Sequence, residues 1–338
     1  MRRTLVPALL FALALAAAAA PAARAQVQVP DSTYAPQVAR PAFTARRPIV
    51  MVDEAHHNHF TARGFYRGLT ALLEADGMRI VPGAQPFSPS LLRNCDVLVV
   101  ANALGAARAD VPAARHSAFR PAECDAVRDW VRAGGSLLLV ADPAPYASAM
   151  DSLARRFGVE MGKGYALDTR RVDPEMNNQG CILHRRDQGA LGDHAILRGR
   201  GRAERVDRVV AFSGQSLTGP PGSRGLLKLG PSAWDVPFTP DARRETDPRL
   251  RAKADTTSVP RTPGSAPAMG RFQAVAFAFG RGRVVALGEG SMLSAQFLLG
   301  DEALRRGQDR LRIGLNRPDL DNEKFALNTL RWLARALD

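Results

Sequence analysis

Short apolar runs alternate with amphipathic segments through the first half of the chain. Four runs have the length and apolar content typical of strands buried on both faces of a parallel sheet. They span residues 48–52, 78–82, 96–104 and 136–142. Between them, apolar residues recur at helical spacing in three segments: 65–75, the stretch after Phe119, and 147–157. Strands separated by helices of this length predict right-handed βαβ units and a parallel sheet.

The second half of the chain shows a weaker pattern. Residues 208–212 form a further apolar run, and residues 273–290 read as a β-hairpin that turns at Gly280–Gly282. An amphipathic helix is predicted from Asp321 to Leu337. Residues 163–208 have little periodicity. Residues 218–268 are rich in Pro, Gly, Arg and Thr, which predicts a long, partly mobile surface insertion that contributes little to the core.

These segments predict the fold class and the organisation of the chain. We expect a three-layer α/β/α domain over residues 47–338, with a mostly parallel, flavodoxin-like sheet. The C-terminal β-hairpin and helix should complete that sheet, and the flexible insertion lies at about 218–268. Residues 26–46 contain prolines and no periodic pattern, which predicts an extended linker before the domain.

The first 25 residues have the pattern of a secretory signal peptide. Arg2 and Arg3 precede a long apolar run, which ends in the small-residue motif Ala23–Arg24–Ala25. We therefore expect cleavage before Gln26 and a periplasmic or secreted protein. No later segment is apolar for long enough to span a membrane, so no membrane span is expected after signal cleavage.

The charge balance is strongly basic but carries little functional information. The chain has 46 Lys and Arg against 33 Asp and Glu, a formal net charge of +13. Such a balance is typical of proteins with anionic partners, but the arginines are scattered and form no basic helix. The pattern favours an ordinary solvated surface, and nucleic acid is not expected as a partner. Charged residues are 23% of the chain, which excludes a wholly disordered protein.

The three cysteines limit the chemistry further. Three thiols exclude a disulfide-dense scaffold and any four-cysteine metal centre. An exported protein permits a disulfide, so pairing among Cys95, Cys124 and Cys181 stays open. Because the number is odd, at least one thiol is free or pairs outside the chain.

Several stretches together resemble a known family. They are VDEAHHNHFTARGFYRGLTALLEADG, the strand ends VVANAL and LLLVADPAPY, the hairpin GRGRVVALGEGSMLSAQF, and the tail DNEKFALNTLRWL. The chain resembles an uncharacterised bacterial family of class I glutamine amidotransferase-like, flavodoxin-like domains, whose usual label is domain of unknown function. It has a more distant similarity to trehalose-utilisation-type domains and to auxiliary domains of gliding-motility ABC transporters.

The resemblance implies a fold rather than an activity. The nucleophile of the amidotransferases is a cysteine at a sharp turn after a central strand. Here the comparable strand ends in Ala141–Pro145, which contains no cysteine. Glutamine hydrolysis by that mechanism is therefore not expected, and the absence of the nucleophilic cysteine favours a protein that is not an enzyme.

Polar residues follow several of the predicted strands. In open α/β sheets, ligands bind outside the carboxyl ends of the strands. Asp and Glu are rarely buried without a partner, so carboxylates that converge there need one. Glu289 belongs to this edge only if the second hairpin strand runs parallel to the others. The predicted ligand-binding cleft consists of Asp53, Glu54, His56, His57, Asn58, His59, Asn102, Asp142, Glu289 and Gln296.

Two functions compete for these residues. In the first, the cleft belongs to an exported, non-catalytic protein that binds a polar ligand or an envelope partner. In the second, the protein is a metal-assisted hydrolase, with a divalent metal on carboxylate and imidazole ligands. The metal ligands would be Asp53, His56, His57, His59 and Asp142, with Glu289 beside them. A purely structural alternative has Asp53 and Asp142 capping loops and helix N-termini, and the histidines as surface residues.

Overall fold

Parallel strands and the helices between them build the first half of the molecule. The computed structural model describes residues 27–238, 262–300 and 309–338. Its helices are α1 (Arg67–Ala75), α2 (Pro89–Leu92), α3 (Pro121–Arg132), α4 (Tyr146–Arg155), α5 (Ala195–Arg198) and α6 (Asn322–Leu333). The strands of the first half are β1 (Val27–Pro30), β2 (Ile49–Asp53), β3 (Arg79–Gly83), β4 (Val97–Ala101), β5 (Ser136–Val140), β6 (Glu160–Met161) and β7 (Tyr165–Asp168).

The second half contributes ten further strands within the described ranges. They are β8 (Cys181–Arg185), β9 (Arg208–Phe212), β10 (Leu217–Thr218), β11 (Arg224–Lys228), β12 (Ala233–Val236), β13 (Ala266–Pro267), β14 (Phe272–Phe279), β15 (Gly282–Leu287), β16 (Ala295–Leu299) and β17 (Leu311–Gly314).

One nine-stranded sheet dominates the fold. Its order is β3-β2-β4-β5-β15-β14-β10-β6, and β11 pairs with β14 beside this path. The five strands from β3 to β15 run parallel, whereas β14 is antiparallel to its neighbours β15, β10 and β11. The predicted mixed α/β fold with a mostly parallel sheet and an antiparallel hairpin is confirmed.

The sheet is covered on both faces. In β4, Val97 and Val99 join one buried cluster, and Leu98 and Val100 join the other, because alternate side chains of a strand point to opposite faces. Helices α1 and α6 pack on the first face, and α3 and α4 pack on the second. This double burial explains why the strands read as continuous apolar runs.

The hairpin β14–β15 turns at Gly280, where φ is +60° and an added Cβ would lie 2.6 Å from the carbonyl oxygen of Arg132. Glycine avoids both the backbone strain and the clash. After the turn, β15 runs parallel to β5 and lies directly beside it. The end of β15 therefore lies at the same edge of the sheet as the ends of β2, β4 and β5.

Two segments differ from their predictions. The predicted linker, residues 26–46, supplies β1, which pairs with β16, and it places Phe43 in the core. The predicted insertion, 218–268, supplies β11, in which Leu226 and Leu227 are fully buried. Both are integral to the domain where they are described, because backbone pairing and apolar burial hold them. The rest of the insertion, residues 239–261, lies outside the described residues.

The described residues form three smaller sheets besides the main one. They are β1-β16-β17, β13-β12-β7 and the two-stranded ribbon β8-β9. The apolar run 208–212 forms a strand, but that strand joins the ribbon rather than the main sheet. The stretch 163–208, which lacks a clear pattern, contains β7, β8 and α5.

Buried ion pairs join distant parts of the chain. The guanidinium of Arg331 donates to both oxygens of Asp76, at 2.6 and 2.9 Å, and Arg317 pairs with Asp173 at 3.1 Å. Cys95, Cys124 and Cys181 are all free thiols. Among the residues with described positions, no helix is long and apolar enough to cross a membrane. Residues 1–25, the predicted signal peptide, lie outside them.

Candidate functional site

The carboxyl ends of four parallel strands lie side by side at one edge of the main sheet. Strand β2 pairs with β4, β4 with β5, and β5 with β15. Neighbouring strands are about 4.8 Å apart. Asp53, Asn102, Asp142 and Glu289, which end or follow these strands, therefore occupy one edge. The condition for Glu289 is met, because β15 is parallel to β5. We call this region the strand-end edge.

Asn102 and Asp142 are joined directly across the ends of β4 and β5. The Asn102 amide Nδ2 donates to Asp142 Oδ2 at 2.7 Å, and the Asp142 backbone N–H donates to Asn102 Oδ1 at 2.8 Å. Asn102 has a φ of +47°, a left-handed conformation that asparagine tolerates better than most residues. The backbone N–H of His59 donates to the Asn102 carbonyl at 3.0 Å, which ties the loop after β2 to the same point.

Asp142 and Glu289 form a pair of acids at the centre of the edge. The Gly290 N–H donates to Asp142 Oδ1 at 2.8 Å. Glu289 is fully buried, and its oxygens accept hydrogen bonds from the backbone N–H groups of Phe212, Ser291 and Met292. Burial raises the pKa of both carboxyls, and the charge of Asp142 raises that of Glu289 further.

Tyr66 lies next to this pair of acids. Its ring is fully buried against Phe60, with ring centroids 4.6 Å apart, and its hydroxyl donates to the Gly290 carbonyl at 3.3 Å. Burial and then the charges of Asp142 and Glu289 raise the Tyr66 pKa. Tyr66 therefore stays a neutral hydrogen-bond donor.

His56 lies between two carboxylates. Its Nδ1 is 2.9 Å from both oxygens of Asp53, and its Nε2 is 3.0 Å from Glu123 Oε1. The ring packs on Phe87 and Phe119, with centroids 4.7 and 4.8 Å away. Burial lowers the His56 pKa, but the hydrogen bonds and charges of Asp53 and Glu123 outweigh it, so the net pKa is raised. The imidazolium form fits this position because both ring nitrogens then donate.

Sequence reasoning did not place Glu123 in the site. It lies in the first turn of α3, where Oε2 accepts from the backbone N–H of Arg120 at 3.0 Å and Oε1 accepts from that of Phe87 at 2.9 Å. The sequence carries only the signal of a helix start, Pro121 followed by Glu123. That signal predicts a capping residue and gives no indication of a histidine 67 positions away.

The predicted metal set does not assemble. Both ring nitrogens of His56 are engaged with carboxylates, and His57 is exposed. Across residues 27–238, 262–300 and 309–338, no group of three or more His, Cys, Asp or Glu side chains could hold a metal ion. The physical reason is local: Asp53 accepts from His56, from Asn58 Nδ2 at 3.0 Å and from the Ala55 N–H at 3.2 Å. Asp53 therefore acts as a loop cap, as the structural alternative predicts.

The structural alternative is wrong for Asp142. Helix α4 begins after Pro145, and no side chain caps it. The Asp142 carboxylate instead accepts from Asn102 and Gly290, which belong to other segments of the edge. A half-buried carboxylate is thus held in place by neighbouring strand ends.

The remaining predicted residues of the loop after β2 divide into two groups. Glu54 and Asn58 support the loop: Glu54 accepts from the Ala62 N–H at 2.8 Å, and Asn58 Nδ2 also donates to the Ala101 carbonyl at 3.2 Å. His57 is exposed, and His59 stacks on Phe65 with centroids 4.7 Å apart. Both histidines lie at the rim of the strand-end edge, as expected for residues of the loop after β2.

Gln296 is not brought to the strand-end edge by the main sheet. It lies on β16 of the small sheet with β1 and β17, fully buried, and its Nε2 donates to Ser294 Oγ. The reason is that a single turn of 3₁₀-helix, Ser291–Leu293, follows Glu289 and redirects the chain into that sheet. Its inclusion in the predicted cleft is wrong in this respect.

Aromatic rings form the rim beside Asp142. The centroids of the His59 and Tyr146 rings are 6.0 Å apart, and Phe65 stacks on His59. Two open cavities, of about 350 and 290 Å³, are lined by none of these residues. The strand-end edge thus combines one fixed carboxylate with neighbouring rings.

The comparisons with known proteins bear on the fold. No family model and no curated protein matches the chain. A solved structure described as the mmIFT52 N-terminal domain is 15% identical with a TM-score of 0.51, and the match covers 84% of this chain and 96% of that one. At this identity the likeness shows a shared fold and nothing about activity.

Two further solved structures have lower TM-scores. The cytoplasmic protein STM1381 from Salmonella typhimurium LT2 is 12% identical with a TM-score of 0.42, and the match covers 84% of this chain and 98% of that one. A ThuA-like protein from Bacteroides uniformis ATCC 8492 is 12% identical with a TM-score of 0.40, and the match covers 88% and 94%.

Proposed function

We propose that this chain is an exported, non-catalytic protein of amidotransferase-like fold that binds a polar ligand or an envelope partner at the strand-end edge. The observation that carries the proposal is the position of Asp142. Its carboxylate is fixed by Asn102 and the Gly290 N–H at the carboxyl ends of parallel strands. That edge is where open α/β sheets bind their ligands.

The chemistry of the edge favours a ligand with hydrogen-bond donors. Each Asp142 oxygen accepts one hydrogen bond within the protein, and a carboxylate oxygen has room for about two. His59, Phe65 and Tyr146 place aromatic rings at the rim. Aromatic faces bind apolar CH surfaces and cations. A small molecule with hydroxyl or amino groups and one less polar face matches this combination.

The other titratable groups of the edge favour binding over catalysis. Within the described ranges, the Glu289 carboxylate accepts hydrogen bonds from backbone N–H groups alone, and His56 is engaged by a carboxylate on each side. A general acid or base must be able to exchange a proton with a bound substrate. Glu289 and His56, whose side chains are buried and hydrogen-bonded within the protein, instead hold the segments of the edge in place. Export is supported by Arg2, Arg3 and the Ala23–Arg24–Ala25 motif.

A screen by ligand-observed NMR tests the proposal. The mature protein is mixed with panels of mono- and oligosaccharides, polyamines and amino acids, and Kd is measured for each binder. Asp142→Asn should raise Kd about tenfold or more, because it removes the charged acceptor. Asp321→Asn is the matched control, since Asp321 is also a carboxylate fixed by N–H donors of other segments, the backbone N–H groups of Asp207 and Arg208, and it lies away from this edge.

Two results would contradict the proposal. Equal Kd values for the wild type and Asp142→Asn would remove the strand-end edge as the binding site. Turnover of a bound compound by the wild type would show that the protein is an enzyme. For an envelope partner, crosslinking in intact cells with the same two variants gives the equivalent comparison.

A further inference from the structure

An open cavity of about 350 Å³ lies between α5, the start of β11 and the last residue of the chain. Its lining consists of Asp193, His194, Ala195, Arg198, Arg224 and Asp338. Small-molecule sites in proteins have volumes of about 300–1,000 Å³. None of the lining residues belongs to the strand-end edge, so this cavity is a separate candidate site.

The charges of the lining are not fully paired. Arg198 pairs with Asp193 at 2.5 Å, and the Asp338 side chain pairs with Arg283 at 3.0 Å. Arg224 forms no ion pair or side-chain hydrogen bond with any other residue that the structure describes. A guanidinium presents five N–H donors in a planar fork that matches an oxyanion. Among the described residues, the cavity therefore contains one guanidinium whose side-chain donors have no protein partner.

His194 adds a neutral donor to the same cavity. Its Nδ1 accepts from the Ile196 backbone N–H at 3.2 Å, so the neutral ring carries its proton on Nε2. The ring packs edge-on against Trp332, with centroids 4.9 Å apart. Burial, and then the positive charges of Arg198, Arg283 and Arg224, lower the His194 pKa to about 4. The positive potential that disfavours the imidazolium also attracts anions.

We infer that this cavity binds a small ligand through an oxyanion group, either a phosphate or a carboxylate. Arg224 provides the bidentate contact, and His194 provides a neutral N–H beside it. The charges of Arg198 and Asp193 neutralise each other in an ion pair, and so do those of Arg283 and Asp338. The cavity is larger than one oxyanion, so it has room for the rest of a small ligand.

The test uses inorganic phosphate and acetate as probes for the two oxyanion groups. The imidazole resonances of the full mature chain are followed by NMR during titration with each anion, with His194→Asn to assign the His194 signal. Saturable movement of the His194 resonance is expected with at least one anion. Movement with phosphate indicates a phosphoryl ligand, and movement with acetate alone indicates a carboxylate ligand.

Arginine variants locate the binding group. Arg224→Gln should raise Kd for the anion about tenfold or more, as expected for loss of a charge-assisted bidentate contact. Arg224→Lys, which keeps the charge without the fork, should give an intermediate Kd. Arg79→Gln is the matched control, because Arg79 is also an exposed arginine at the first position of a strand. It should leave Kd unchanged.

The inference is overturned if neither anion moves the His194 resonance. It is also overturned if Arg79→Gln weakens binding as much as Arg224→Gln, because binding would then follow net charge rather than the cavity. Circular dichroism on each variant confirms folding, which exposed positions should preserve. Asp142→Asn should leave anion binding intact, so the outcome here is independent of the strand-end edge.

Discussion

Asn102 and Asp142 hold each other through a reciprocal pair of hydrogen bonds, side-chain amide to carboxylate and backbone N–H to side-chain oxygen. The pair ties the end of β4 to the end of β5 and fixes the direction of the carboxylate. Because Asn102 also accepts from the His59 N–H, the loop that follows β2 is anchored to the same point. The strand-end edge thus has one rigid centre, and its rim is built around it.

Asp142 should make the protein less stable as the pH rises. Its pKa in the folded protein is raised to about 6 by burial, above the value near 4 of an exposed aspartate. Its contribution is fully present below pH 4 and is lost as the pH rises through 6, because the unfolded chain ionises first. We expect the wild-type free energy of unfolding, relative to Asp142→Asn, to fall by about 2 kcal/mol between pH 4 and 7.

Urea unfolding of both proteins across that pH range measures the difference directly. Asp321→Asn serves as the control, since the Asp321 carboxylate accepts from the backbone N–H groups of Asp207 and Arg208 in another part of the molecule. A difference curve that is flat, or that rises with pH, would show that Asp142 is ionised in the folded protein at pH 4.

His56→Ala should be strongly destabilising. The substitution leaves the fully buried Asp53 without its closest partner and also removes a partner of Glu123. Breaking a buried ion pair from one side costs about 3–5 kcal/mol. Because the folded pKa of His56 is raised, the loss should be largest below pH 6.5 and should shrink as the pH rises through the folded pKa.

The measurement is chemical denaturation at pH 5.5 and pH 8, with His57→Ala as the control because His57 is the exposed neighbour in the same loop. A loss below about 1 kcal/mol, the scale of a surface interaction, would show that the bridge between Asp53 and Glu123 contributes little.

Leu227→Ala tests the place of β11 in the core. Leu227 is fully buried, and β11 pairs with β14 of the main sheet. Truncation of a buried leucine costs about 2–5 kcal/mol. The exposed neighbour Lys228 is the control, and Lys228→Ala should change stability by less than about 0.5 kcal/mol. If both variants changed stability equally little, β11 would not belong to the core, and the surface insertion predicted from composition would be correct.

Export predicts a specific mature N-terminus. Cleavage after the Ala23–Arg24–Ala25 motif should leave Gln26 as the first residue of the protein recovered from the envelope fraction. Edman sequencing or mass spectrometry of the intact protein identifies it. Recovery of a chain that still begins at Met1 in that fraction would rule out cleavage at this motif.

The main sheet could be predicted because its information is local. Each buried parallel strand is a continuous apolar run, and each covering helix has its own periodic face, so the order of elements follows from short windows. Strand β11 could not be predicted in the same way, because Leu226 and Leu227 lie in a segment dominated by Pro, Gly and Arg. Its burial depends on pairing with β14, which a local window does not contain.

The candidate site shows the same division. Parallel topology alone brings strand ends together, so the sequence suffices to predict that polar residues at these ends share one edge. They are Asp53, Asn102, Asp142 and Glu289. The partnership of His56 with Glu123 joins positions 67 residues apart and depends on how α3 packs. A polar residue at the edge can bind a ligand or hydrogen-bond to neighbouring segments of the protein. Its side-chain hydrogen bonds decide between the two, and the spacing of residues along the sequence does not predict them.

The position of β15 sets the order in which the protein can fold. This strand, Gly282–Leu287, lies between β5 and β14, near the middle of the main sheet. Until β15 has been synthesised and has paired, β5 has an open edge of unpaired backbone groups, which attracts other strands. The sheet must therefore assemble late, from contacts between residues about 150 positions apart, and such long-range pairing is slow. A chain with this topology exposes the edge of β5 until its C-terminal hairpin has formed, which increases the need for chaperones during folding.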